Sequence, residues 1–103
     1  MTLKIDIDFN EDNTWNIKYK ILKTLPYKDA QYYLTKHGIH IIIPSLPNDF
    51  NLRHYFGDDV CRIILDMQRQ RYGLHNNVLF DFKNGHYAEE TTIWEAIKNV
   101  RRA

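Results

Sequence analysis

With 103 residues, 44% of them hydrophobic and 14% aromatic, the chain has material for one packed domain over residues 1–103 and too little length for two, and the same composition excludes disorder. A formal net charge of +1 leaves no global electrostatic footprint for nucleic acid, so any basic surface has to be local. Cys61 is the only cysteine, which excludes an intrachain disulfide and a cysteine-based zinc site. With no apolar stretch of membrane-spanning length and no signal-peptide pattern, a cytoplasmic protein without membrane partners is expected.

The stretch LKIDIDF, Leu3 to Phe9, alternates apolar and polar residues as a half-buried strand does. Its polar side carries Asp6 and Asp8, roughly 7 Å apart with no base between them. Charge that keeps an edge strand from aggregating is one explanation; two carboxylates gathered for a divalent cation is the other. The turn NEDN then offers a helix cap at Asn13 or Thr14. The segment up to Pro26 fits two periods, with Trp15, Tyr19, Leu22 and Leu25 at helical spacing and Trp15, Ile17, Tyr19 and Ile21 alternating. A helix is preferred, because it supplies the crossover that a parallel neighbour of the first strand needs.

AQYYLTKHGIHIIIP reads as a hairpin in which Gly38 takes a positive φ, with Ile39, Ile41 and Ile43 on one face and His40 and Ile42 on the other. DFNLRHYF predicts a short helix closed by Gly57. Asp58, Asp59 and the β-branched residues after them then argue for a strand over VCRIILDMQRQ, with Arg62, Ile64, Asp66 and Gln68 on one side. RYGLHNN reads as a turn, VLFDF as a further strand and KNGHYAEE as a loop. Thr91 or Thr92 caps a final helix with Ile93, Trp94, Ile97 and Val100 as its buried stripe and Arg101 and Arg102 at its end. The expected fold class is α+β: a ferredoxin-like, RRM-like βαββαβ sheet with helices on one face, an extra hairpin strand and a C-terminal helix. The first strand would be central, with the third and fourth strands on its two sides.

If the isoleucine faces pack on the helices, the opposite face gathers Lys4, Asp6 and Asp8 from the first strand, His40 from the third, and Arg62, Asp66 and Gln68 from the fourth. Three carboxylates can hold Mg²⁺ or Mn²⁺, hard cations that prefer oxygen and that assist in-line displacement at phosphorus. His40 would contact a phosphate oxygen, and Lys36 and Arg62 would add charge-assisted bonds. Each residue also has a plain role open to it: a surface histidine, an Asp66 paired with Arg62 or Arg69, and a solvated Arg69 and Arg71.

These residues resemble the catalytic core of the archaeo-eukaryotic primase-polymerase superfamily. LKIDID resembles its hhhDhD motif, TKHGIHIII the motif in which a histidine opens an apolar strand, and RIILD the third motif, an acid on a later strand. The resemblance spans roughly residues 3–82. It implies catalytic and metal-binding roles for Asp6, Asp8 and Asp66, a nucleotide-phosphate role for His40, and an RRM-like core. Asp81 competes with Asp66 as third acid. The expected function is a minimal primase-like nucleotidyltransferase that binds a divalent cation, a nucleoside triphosphate and single-stranded or primer-template nucleic acid. The alternatives are a non-catalytic module that binds single-stranded nucleic acid or a protein, itself included as a homodimer, and a metal-dependent nuclease.

Overall fold

The computed structural model describes residues 2–10, 12–74, 77, 82–83 and 86–100. The elements run β1 (Leu3–Asp8), α1 (Thr14–Leu22), β2 (Gln31–Leu34), β3 (Gly38–Ile43), α2 (Phe50–Tyr55), α3 (Val60–Arg71), β4 (Phe82–Lys83), β5 (His86–Tyr87), β6 (Glu89–Thr91) and α4 (Ile93–Val100). The fold is α+β. Its main sheet is antiparallel with strand order β1-β3-β2-β6, and β4 and β5 form a separate two-residue hairpin.

Alternation in β1 and β3 builds the core. Leu3, Ile5 and Ile7 pair with Ile43, Ile41 and Ile39 and are buried on one face of the sheet. Each fully buried aliphatic side chain contributes about 1.5–3 kcal/mol relative to exposure. Ile17 and Ile21 of α1 and Ala96 and Val100 of α4 close over this face. Asn13 caps α1 by accepting from the Asn16 amide, and Thr92 caps α4 by accepting from the Glu95 amide. Just before α1, hydrogen bonds from Asn16 and the Asn13 amide hold the Asp12 carboxyl below the usual carboxylate range. At the other end, Thr24 bonds back to the Ile21 carbonyl and lies 2.6 Å from the Tyr32 hydroxyl, whose ionisation is pushed up by burial.

Several expectations are met: the hairpin of β2 and β3, the helices α1, α2 and α4, and Gly57 closing α2 at φ 81°. Other expectations are corrected. Residues 60–71 form a helix, not a strand: Asp59 accepts from the Cys61 and Arg62 amides as its cap, and Ile63 and Asp66, three apart, are its buried residues. The β-branched residues misled because Val60, Ile64, Leu65 and Met67 of α3 face outward while an acid joins Ile63 on the inner side. On the far side of β1 there is accordingly no paired strand among the described residues. β6, within a segment read as loop, takes the outer edge of β2 instead. Trp94, expected in the buried stripe of α4, is exposed. The strand read over VLFDF lies almost wholly outside the described residues, as do Asp81, Arg101 and Arg102.

Gly38 is also needed for a different reason than the turn. It opens β3 opposite Asp8 and does not have a positive φ. A Cβ there would lie 2.1 Å from the Ile7 carbonyl oxygen, a backbone atom with no side-chain freedom to yield. Gly38→Ala therefore should destabilise the protein by at least the about 1–3 kcal/mol typical of overpacking, read as a lower urea midpoint with an unchanged m-value. An unchanged midpoint would show that β1 and β3 are not held so closely.

Candidate functional site

β1 and β3 do bring Asp6 and His40 together. They are cross-strand partners on the face opposite the core, with His40 Nε2 3.6 Å from Asp6 Oδ1. This face is less open than expected, because His40 is only 9% exposed. Asp8 lies on the same side of β1 and accepts from the Asn10 amide, which shapes the turn after the strand. Lys36 is exposed in the hairpin connection.

Asp66 and Arg62 do not join them as sheet residues. Both lie on α3, in an ionic network packed along the outer edge of β1. At its centre Asp58 uses both carboxylate oxygens. Oδ2 accepts from Arg53 Nε at 2.6 Å, and Oδ1 accepts from Arg62 Nη1 at 2.6 Å and from the Asp6 amide at 2.8 Å. The Asp59 amide donates to the Asp6 carbonyl at 3.0 Å, so the outward backbone groups of Asp6 are both satisfied by the α2–α3 connection. Asp66 Oδ2 accepts from the Asn77 amide at 2.9 Å and lies 2.8 Å from Arg53 Nη2; its Oδ1 is 3.4 Å from Arg69 Nη1. Asn77, in the left-handed region at φ 55° that asparagine tolerates better than most residues, receives Arg62 Nη2 on its amide oxygen. It donates to the Lys4 carbonyl and to Asn48.

Arg53, Asp58, Asp66 and Asn77 are buried, and Arg62 is mostly so. The two acids face Arg53, Arg62 and Arg69, so their charges are compensated, as burial requires. The Arg53 side chain packs against the Phe50 ring, its Cζ 5.6 Å from the ring centroid. Nη2 approaches Asp66 off the hydrogen-bonding direction, and Nη1 has no aligned acceptor among the described residues.

This arrangement places Asp66 in the ionic network on α3 and not on the sheet face with Asp6 and Asp8. Both oxygens of Asp66 already face cations or an amide donor, and no group of three or more His, Cys, Asp or Glu among the described residues lies together as metal ligands would. Arg62 directs its guanidinium to Asp58 and Asn77.

A second concentration of functional groups lies on the outside of α1. Ile17 and Ile21 face the core, so Trp15, Tyr19 and Leu22, the residues whose spacing pointed to a helix, form the stripe directed away from it. Trp15 is 73% exposed, Tyr19 57% and Tyr55 of α2 56%. Lys23 holds the two tyrosines side by side. Its Nζ is 5.1 Å from the Tyr19 ring centroid and 4.6 Å from that of Tyr55, and it donates to the Tyr55 carbonyl at 3.0 Å. Residues 13–28 contain four lysines and no acid, although the whole chain is nearly neutral. Sequence reasoning read these aromatics as helix periodicity and missed the surface; the local charge asymmetry was the available signal.

Fold and site together define a small antiparallel α+β protein with a structural ionic network at one sheet edge and an aromatic, lysine-rimmed helix outside. No family model matches the chain, and no solved structure does. The uncharacterized ORF116 protein of Acidianus filamentous virus 2 (isolate Italy/Pozzuoli) is 34% identical over 85 residues, which covers 76% of this chain and 71% of that protein. The chain belongs to the family of that viral protein. Among the described residues no helix is long and apolar enough to cross a membrane.

The network makes Asp66 a structural residue. Asp66→Asn should cost stability near the lower end of the about 3–5 kcal/mol for removing one partner of a buried pair, because Asp58 still faces Arg53. Urea unfolding reads this directly; wild-type stability in the variant would free Asp66 for another role.

Proposed function

We propose that the protein is a non-catalytic module that binds single-stranded nucleic acid through the outer surface of α1 and Tyr55. The observation that carries this reading is the exposure of Trp15, Tyr19 and Tyr55, the two tyrosines flanking Lys23, beside a segment, residues 13–28, that has lysines and no acids. Bases stack on aromatic rings whatever their sequence, and lysines neutralise the phosphates between them. Lys18 is partly exposed on α1, and Lys28 is exposed just beyond it. The fold is read as a variant of the ferredoxin-like sheet, supported by α1 linking β1 to β2 with β3 between them. Binding moves from the sheet face, where Asp6 and His40 offer no stacking platform, to the helix that covers the other side.

Fluorescence anisotropy with a labelled single-stranded oligonucleotide tests this at several salt concentrations. Binding should persist in EDTA. Trp15→Ala should weaken it by about 1–3 kcal/mol, the usual worth of one stacked base. Lys23→Ala should flatten the dependence of log K on log salt by about one phosphate contact. Unaltered affinity in the Trp15→Ala, Tyr19→Ala double variant, or binding that needs Mg²⁺ or Mn²⁺, would overturn the reading.

A further inference from the structure

The ends of α1 and α2 meet around one ammonium group. Lys23 Nζ lies over the rings of Tyr19 and Tyr55 at once, 5.1 and 4.6 Å from their centroids, so two aromatic faces converge on one position. Both walls stand on packed structure. Tyr19 belongs to α1, which Ile17 and Ile21 anchor in the core. The Tyr55 ring meets buried Phe56 edge to face, 4.9 Å between centroids, and Tyr27 meets Phe56 in the same way at 5.8 Å. Next to them α1 touches the end of α2 directly: a Cβ on Gly57 would lie 2.5 Å from Lys20 Cδ, so the Lys20 stem runs across the glycine. Neither wall is covered, since both tyrosines are more than half exposed. Lys23 is held by a hydrogen bond to the Tyr55 carbonyl at the end of α2, and among the described residues no carboxylate pairs with it.

We infer that Tyr19 and Tyr55 are the two walls of a slot for one unpaired nucleobase, and that Lys23 fills this slot in the free protein and leaves it when the base enters. The slot presupposes the nucleic-acid reading of α1 and adds to it the place of a base and a competitor built into the chain. A base is flat and has a π-face on each side, so it can stack on both converging rings, and only an unpaired, unstacked base can offer both faces. An exposed cation–π contact is worth about two- to fivefold in an equilibrium constant, whereas a stacked base is worth about five- to 150-fold. A base therefore displaces the ammonium. Once released, the ammonium stays on its flexible four-carbon stem at the rim of the slot, within reach of the phosphates of the bound strand, so that it exchanges two neutral rings for an anion. Lys18, Lys20 and Lys28, in a segment without acids, continue the cationic surface along which that backbone would run.

Proton NMR of the full chain, titrated with single-stranded oligothymidylate, tests the slot without any variant. In the free protein the two rings should hold the Lys23 side-chain methylene signals upfield of those of the other lysines. At saturation these signals should return to the ordinary lysine position while the Tyr19 and Tyr55 ring signals shift. Lys23 signals that stay upfield with the oligonucleotide bound would overturn the slot and leave the nucleic-acid reading standing; no binding at all would overturn both. Release of Lys23 by tetramethylammonium chloride, but not by bound oligonucleotide, would assign the position to a cation and contradict the base. Affinity gives a second readout. Lys23→Ala loses one phosphate contact and also the competitor, so its line of log K against log salt should be flatter and should cross that of the wild type. At high salt the variant should bind more tightly, by about two- to fivefold for each cation–π contact relieved. A Lys23→Ala protein that binds more weakly than the wild type at every salt concentration would leave Lys23 a phosphate contact alone and remove its role as competitor.

Discussion

The fold depends on how the outer edge of β1 is closed. A strand at the edge of a sheet leaves every second amide and carbonyl without a partner, and here those groups lie beside buried apolar side chains, where an unmade hydrogen bond costs about 1–3 kcal/mol. Another strand would be the common solution. Among the described residues a carboxylate takes that place instead. Asp58 accepts from the Asp6 amide and is held in place by Arg53 and Arg62, while the Asp59 amide and Asn77 satisfy the Asp6 and Lys4 carbonyls. A charge can be buried in this position because every oxygen of Asp58 has a donor and two guanidiniums balance it together with Asp66.

That closure sets the rest of the architecture. It requires Arg53 to point inward from α2 and Asp66 from α3, which sets an acid beside Ile63 on the inner side of α3 and leaves Val60, Ile64, Leu65 and Met67 outside. It also holds Asp66 in the network, with its oxygens facing Arg53, Arg69 and the Asn77 amide. The face of β1 opposite the core carries Asp6 beside the buried His40, with Asp8 serving the following turn. The exposed aromatic side chains of Trp15, Tyr19 and Tyr55 lie instead on α1 and α2.

The sequence revealed most where one physical rule acted alone. Alternation in LKIDIDF and GIHIII located two paired strands and their buried faces, and it correctly placed Asp6 and His40 on a common side. Capping residues located α1 and α4. The reading failed where tertiary contacts reversed the ordinary pattern. In VCRIILDMQRQR the buried acid and exposed isoleucine remove the amphipathic signature of a helix, and β-branched residues then favour a strand. The network itself left a faint trace: Arg53, Asp58, Arg62, Asp66 and Arg69 alternate in sign at spacings of five, four, four and three. On a helix such spacings bring opposite charges together, but only the docking against β1 shows that they are buried. Gly38 had the same fate, since its near contact with Ile7 is a property of two strands distant in sequence.

Among the described residues a side-chain carboxylate thus takes the place of a neighbouring strand at the outer edge of β1. Native-state hydrogen exchange at the Asp6 amide tests it most directly, because that N–H points away from β3 and has Asp58 as its acceptor. The Asp6 amide should exchange as slowly as the Ile5 and Ile7 amides, which face β3, and Asp58→Ala should release it selectively. Exchange at the rate of an exposed loop amide in the wild type, with Ile5 and Ile7 still protected, would contradict the account.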